Sequence, residues 1–301
     1  MLIGYNSYKQ VTKKTESPLN IIPTNAAVIL QYNNAKHLYT SLNSTDIWNN
    51  LCNISLVDSI NNQIKEISNF YNQYPVIFKN NSLFVSFHKV GANNSGVLFS
   101  SNFERKTINS NGEINALIGK SISEGKYNNQ TIFELNHKKK TLFVSFKGDI
   151  VFFSDNKMLV EDAIRASFAK EKISLHPSFI AAYKTISKSA DINLLFNYNY
   201  IIEYLNVFSN TNITTKDFSG WTATDIRIKN NLLIANGFSS FNNKTTNFTD
   251  VLNNQTAENI GITDIIPENT SLLFSLGFDN AKKLYNKKNR ILQKQNNFWS
   301  W

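Results

Sequence analysis

The chain has 301 residues, 42% of them hydrophobic and 13% aromatic, which is enough for a buried core and excludes a disordered polar chain. Its formal charge of +9 raises nucleic acid or an anionic surface as partners, but the basic residues are dispersed. The two clusters are Lys138-Lys139-Lys140 in a turn and the C-terminal Lys282, Lys283, Lys287, Lys288, Arg290 and Lys294; with no helix-turn-helix, zinc-finger or RNP pattern beside them, they read as solvated surface and no nucleic acid is expected.

Asparagine carries much of the polarity, at 46 positions scattered between apolar residues rather than in tracts, so a prion-like reading has no basis. Cys52 is the only cysteine, which excludes an intrachain disulfide and a cysteine-built metal site; it reads as a small buried hydrophobe. No run of 18 apolar residues exists to span a membrane as a helix. Met1 to Tyr5 is too short for a signal-peptide core, yet the polar stretch Tyr8 to Asn20 follows it as a linker follows an anchor. We expect residues 1–20 to be linker, with an anchor upstream of Met1 as the only membrane attachment.

In chain order, the turn-forming Ile22-Pro23-Thr24-Asn25 precedes a buried strand, Ala26 to Tyr32. Asn33 or Asn34 caps a helix from Ala35 to Leu42, and Ser44 or Thr45 caps another carrying Ile47, Trp48 and Leu51. A longer helix from Ser55 carries Leu56, Ile60, Ile64, Ile67 and Tyr71 on one stripe. The period then changes to two: Leu83 to Phe87 and Gly96 to Phe99 predict a hairpin whose loop is Gly91 to Ser95. Ile114, Leu117, Ile118 and Ile122 predict a short helix. Strands Thr131–Leu135, Thr141–Phe146 and Asp149–Ser154 follow closely; such short connections require antiparallel neighbours.

Asp155 or Asn156 then caps a helix with Met158, Leu159, Ala163, Ile164 and Phe168. The segment Leu175 to Phe179 leads into a helix reaching Ser187, before a strand at Ile192–Phe196 and a helix at Tyr200–Phe208. Alternating strands Trp221–Lys229 and Leu232–Phe241 flank a tight Asn230-Asn231 turn. The polar stretch Asn242 to Gly261 is the boundary. The expected fold class is α+β, a largely antiparallel sheet with helices packed on it.

Beyond the boundary, Ile266-Pro267-Glu268-Asn269 to Phe274 repeats Ile22-Pro23-Thr24-Asn25 to Leu30 in character. Asn280-Ala281-Lys282-Lys283-Leu284-Tyr285 then matches Asn34-Ala35-Lys36-His37-Leu38-Tyr39, and Phe298-Trp299 matches Ile47-Trp48. A period of about 245 residues is a domain duplication, not a solenoid. We therefore expect one module at 21–261 and the beginning of a second at 262–301, a piece too small to bury its own core. The expectation is that the natural chain continues past Trp301.

Three segments also resemble a bacterial family called domain of unknown function 3352. They are Ile22-Pro23-x-Asn25, the run Gly148-Asp149-Ile150-Val151-Phe152-Phe153-Ser154 leading into Leu159-Val160-Glu161-Asp162-Ala163-Ile164, and Ser174-Leu175 with Phe179. The resemblance spans about 22 to 208 and implies an extracytoplasmic α+β module, often duplicated, behind an N-terminal membrane anchor. No such anchor lies within residues 1–301, and it is expected upstream of Met1.

Chemical signatures are sparse. His37, His88, His137 and His176 fall in four different elements without metal-ligand spacing. There is no nucleophile elbow, and Gly91-Ala92-Asn93-Asn94-Ser95-Gly96 lacks the Lys-Ser/Thr of a phosphate loop. Glu161 and Asp162 are adjacent on a helix and diverge, and they sit where carboxylates favour a helix start; Asp149 and Asp155 bracket a strand as turn residues. The sequons at Asn43 and Asn247 are products of the Asn content. No catalytic, cofactor-binding or metal-binding residue is assigned, and no cofactor is expected.

The strand aromatics Phe133, Phe143, Phe146, Phe152, Phe153, Phe196, Trp221, Phe238 and Phe241 are read as core, with an outward binding surface as the alternative. The expected function is a non-catalytic scaffold or interaction module of a bacterial cell envelope, partnered by other envelope proteins or by the second copy of its own module. The alternative is a binding module for a lipid or small apolar ligand.

Overall fold

In the computed structural model, the described residues are 16–33, 35–73, 82–103, 121–137, 140–208, 220–229, 232–239, 252, 255–256, 258–259, 261–270 and 273–296. They carry strands β1 (Val28–Tyr32), β2 (Leu83–Val90), β3 (Asn94–Asn102), β4 (Ser121–Tyr127), β5 (Gln130–His137), β6 (Lys140–Lys147), β7 (Ile150–Ser154), β8 (Ile192–Asn197), β9 (Trp221–Lys229) and β10 (Leu232–Ser239). The helices are α1 (Ala35–Asn43), α2 (Asp46–Leu51), α3 (Ser55–Gln73), α4 (Lys157–Phe168), α5 (Pro177–Tyr183), α6 (Tyr198–Leu205) and α7 (Ala281–Asn296).

All ten strands form one sheet in the order β10-β9-β8-β1-β2-β3-β7-β6-β5-β4, and every neighbouring pair is antiparallel. The chain is thus α+β. Two meanders, β1-β2-β3 and β4-β5-β6-β7, join edge to edge where β3 pairs β7, and β8 returns to the other side of β1.

Alternation along the strands places a core on each face. On β2, Leu83, Val85 and Phe87 enter a cluster with Leu42 of α1, Ile64 of α3, Tyr204 of α6 and Trp48 of α2. Phe84 points the other way, with Ile29, Leu195, Trp221 and Phe179 of α5. On that same side Leu98, Ile132, Ile150 and Phe152 pack under Leu159, Val160, Ala163 and Ile164 of α4. Helices cover both faces, which explains why β2 and β7 read as apolar on both parities: β7 is buried at all five residues.

The helix ends follow sequence chemistry. Thr45 accepts from the Trp48 N–H at the start of α2, and Asn156 accepts from the Leu159 N–H at the start of α4; such caps contribute about 1 kcal/mol each. Of the two residues expected to cap α1, Asn34 lies outside the described residues and Asn33 is engaged elsewhere. Its amide donates instead to the Ala190 carbonyl and to Asn193.

Several expectations change. A 3-10 turn at Pro18–Ile21 buries Pro18 and Leu19, and Asn102 donates to the Glu16 carbonyl, so the packed body reaches back into the stretch read as linker. The β2-β3 hairpin is longer than the apolar runs suggested, pairing Val90 with Asn94 across a loop of residues 91–93; Gly91 supplies the left-handed backbone there, at φ 64°. Strand β4 was not expected. It carries few apolar residues because it is the sheet's edge, and Ile122 lies in it; residues 104–120, which hold the rest of the helix expected there, lie outside the described residues. Helix α5 ends at Tyr183 rather than Ser187, where the Ser187 N–H turns to the Asp225 carboxylate.

In the segment read as a repeat of the N-terminal motif, residues 273–280 form no strand, and Asn280 caps α7 through the Lys283 N–H at 2.9 Å. Phe274 is 85% exposed there. The turn Asn230-Asn231, Phe241 and the segment 297–301 lie outside the described residues.

Candidate functional site

Two polar constellations lie on the α4/α5 face of the sheet, and both are built from strand residues of one parity. The first joins β2 to the turn before β1. Ser86 and His88 stand two apart on β2, so their side chains share a face. His88 is fully buried, with Nε2 2.8 Å from Ser86 Oγ and Nδ1 3.2 Å from Asn25 Oδ1. Because an amide oxygen only accepts, Nδ1 carries the proton and the Ser86 hydroxyl donates to Nε2. Burial lowers the His88 pKa to about 3, so the imidazole is neutral at ordinary pH.

A Ser-His-Asn contact invites a hydrolytic reading. Ser86 and His88 both have no solvent exposure, and an attacking oxygen must reach a substrate carbonyl. The buried pair has no path to one. Asn25 alone reaches outward, to a cleft of about 230 Å³ lined also by Lys89, Gly91, Tyr200 and Glu203. That volume lies below the ~300–1,000 Å³ of ordinary small-molecule sites.

The second constellation staples β1, β8 and β9. Asn193, fully buried on β8, donates to Asp225 Oδ1 at 2.7 Å and to the Ser187 carbonyl at 3.0 Å. Its Oδ1 accepts from Asn33 at 2.8 Å, Gln31 donates to Asn33, and the Tyr183 hydroxyl donates to Gln31. Asp225 also accepts the Ser187 N–H through both oxygens at 3.0 Å. Each member serves its neighbours, so the network holds three strands and the loop before β8 together.

The remaining sequence candidates are not brought together. His176 sits at the start of α5, its Nδ1 2.8 Å from Ser178 Oγ; the side chains of His37 and His137 lie outside the described residues. Asp162 pairs with Arg165 one helical turn on. Asp149 lies in the β6-β7 turn, where its carbonyl accepts the Phe103 N–H. Cys52 is only partly buried, at the C-cap of α2, so its reading as a small buried hydrophobe is corrected: the end of this short helix leaves it half open to solvent. Its thiol pKa is raised by desolvation and by Asp58, opposite to a reactive thiolate. Among the described residues no group of three metal-ligating side chains converges.

Of the strand aromatics, Phe152, Phe153 and Trp221 are buried, and Phe133, Phe143, Phe146 and Phe196 are half-buried. Phe238 is the outward one among those described, at 65% exposure, on the edge strand β10. Leu232 at 57% and Ile234 at 40% share its side of the strand. Sequence reasoning missed both the Ser86-His88 pair and this edge. The Ser-Phe-His spacing carried the first, and the second needed the strand order.

No protein-family model and no curated protein matches the chain. Among solved structures, crystal form I of TP0453 is similar over 79% of this chain and 84% of that one, at 15% identity and a TM-score of 0.36. A likeness at that level carries no argument about function. No described helix is long and apolar enough to cross a membrane, which says nothing of strands.

Proposed function

We propose that the chain is a non-catalytic interaction module of a bacterial cell envelope, acting outside the cytoplasm. The observation that carries it is the edge strand β10, where Leu232, Ile234 and Phe238 are gathered outward. Contiguous outward apolar side chains on a sheet edge are a surface for another chain. The compartment rests on the quoted resemblance to domain of unknown function 3352.

The non-catalytic reading is supported by the arrangement of the polar groups. His88 and Asn193, the most buried members of the two constellations, are each held by partners that leave no side for a substrate. Phe143 and Phe152 pack with α4, and Phe146 and Phe153 belong to the cluster that includes Leu42 and Ile64, so no described observation favours the apolar-ligand alternative over an interaction role.

The test is a pull-down from membrane fractions with the tagged chain. Recovery of a specific envelope protein, lost on Phe238→Asp, is the expected result. Recovery of nothing under several mild detergents overturns the reading.

A further inference from the structure

The cleft beside Asn25 is framed by paired backbone. The Ala27 N–H donates to the Phe87 carbonyl and the Asn197 N–H to the Ala27 carbonyl, both at 2.9 Å, and the Asn197 side-chain amide donates to the Ala26 carbonyl at 3.0 Å. The turn before β1, the end of β2 and the start of α6 are therefore held in one frame. Lys89 stands two residues beyond Phe87 on β2 and rises on the same face, where Phe87 meets Tyr204 of α6 edge to face at 6.2 Å between ring centres. Tyr200 and Glu203 are three apart on α6 and share one side of it. Gly91 completes the lining from the β2-β3 loop.

The frame is hydrogen-bonded, but the side chains it presents are not. Among the described residues, the side chains of Lys89, Tyr200 and Glu203 have no hydrogen-bond or ion-pair partner. Lys89 and Glu203 carry opposite charges into one cleft of about 230 Å³ without pairing with each other. Asn25 is aimed from behind: its Oδ1 accepts from the buried His88 ring at 3.2 Å, which leaves both Nδ2 protons for the cleft. His88 thereby fixes which end of the Asn25 amide faces outward, as a supporting residue does for one that touches a ligand.

The lining selects the class of ligand. A simple anion drawn to Lys89 would also meet Glu203, and a simple amine drawn to Glu203 would also meet Lys89, so each is opposed by a like charge. A molecule bearing both charges satisfies both groups. At ~30 Å³ per water the cleft has room for roughly seven waters, or a molecule of about five to nine non-hydrogen atoms. We propose that the cleft binds a small zwitterion of the size of a free amino acid, its carboxylate taken by Lys89 Nζ and Asn25 Nδ2 and its ammonium by Glu203, with the Tyr200 hydroxyl beside it. This binding does not depend on the interaction-module reading.

The experiment is calorimetric titration of the full chain with glycine, L-alanine, L-serine and β-alanine, and with acetate and ethylammonium as half-ligands. Saturable binding of one of the zwitterions is expected, about tenfold or more tighter than either half-ligand. Glu203→Gln and Lys89→Met, each checked for fold by circular dichroism, are each expected to weaken it about tenfold or more, the effect of losing a charge-assisted hydrogen bond. Glu161→Gln, on α4 and outside the cleft, is expected to leave it unchanged. No binding of any of the four zwitterions at ~10 mM, binding indifferent to both Glu203→Gln and Lys89→Met, or acetate binding as tightly as the zwitterion overturns the proposal.

Discussion

His88 Nε2 lies 2.8 Å from Ser86 Oγ, two residues away on the same strand, in an interior that water does not reach. Burial of His88 makes β2 pH-sensitive. The folded pKa of about 3 lies below the ordinary 6.5, so the unfolded chain binds a proton that the folded chain refuses. Stability is therefore complete above pH 6.5 and falls as pH drops from 6.5 toward 3. The loss approaches ~1.4 kcal/mol per pH unit, on the order of 5 kcal/mol in all. Urea midpoints measured from pH 7.5 to 4 check this: His88→Leu is expected to lower stability at pH 7.5 and to flatten the decline by about one proton. Equal slopes in the two proteins would show that His88 is not the titrating group.

Ser100 Oγ is buried on β3 without a hydrogen-bond partner among the described residues, paired in register with Phe84 and Phe152. An unsatisfied buried hydroxyl costs about 1–3 kcal/mol. Ser100→Ala is expected to raise the urea midpoint, by up to ~1 kcal/mol after the lost packing is counted. A lower midpoint would mean that the hydroxyl is in fact bonded.

Asn193 links Asn33, Asp225 and the Ser187 carbonyl. Asn193→Ala strips a carboxylate and two neutral groups of a partner at once, and a loss of about 2–4 kcal/mol is expected. In a double-mutant cycle with Asp225→Asn, the two losses are expected to be strongly non-additive. Additive losses would show two independent sites.

Phe152 is fully buried between β3, β6 and α4, whereas Met158 on the same helical layer is exposed. Phe152→Ala is expected to cost about 3–5 kcal/mol and Met158→Ala to stay within ~0.5 kcal/mol. Thermal melts of the pair distinguish core aromatics from surface ones; a tolerated Phe152→Ala would place that aromatic in a ligand cavity instead.

The sequence by itself determined the local structure. Period-two runs gave most of the strands, short connections required them to be antiparallel, and Ser44 or Thr45 and Asp155 or Asn156 marked helix starts that the structure caps with Thr45 and Asn156. The two-residue spacing of Ser86 and His88 on β2 also carries their shared face, a signal that sequence reasoning missed. Only the tertiary structure decided which strands adjoin: β7 on β3, β8 on β1, and β4 and β10 at the edges. Alternation fixes parity but is silent about neighbours, because pairing partners far apart in the chain are chosen by which faces can be buried together. The outward placement of Phe238 and the inward placement of Phe152 follow from that choice. Both are strand phenylalanines of the same kind in the sequence, and only the helices above one and the absence of a described strand beside the other set them apart.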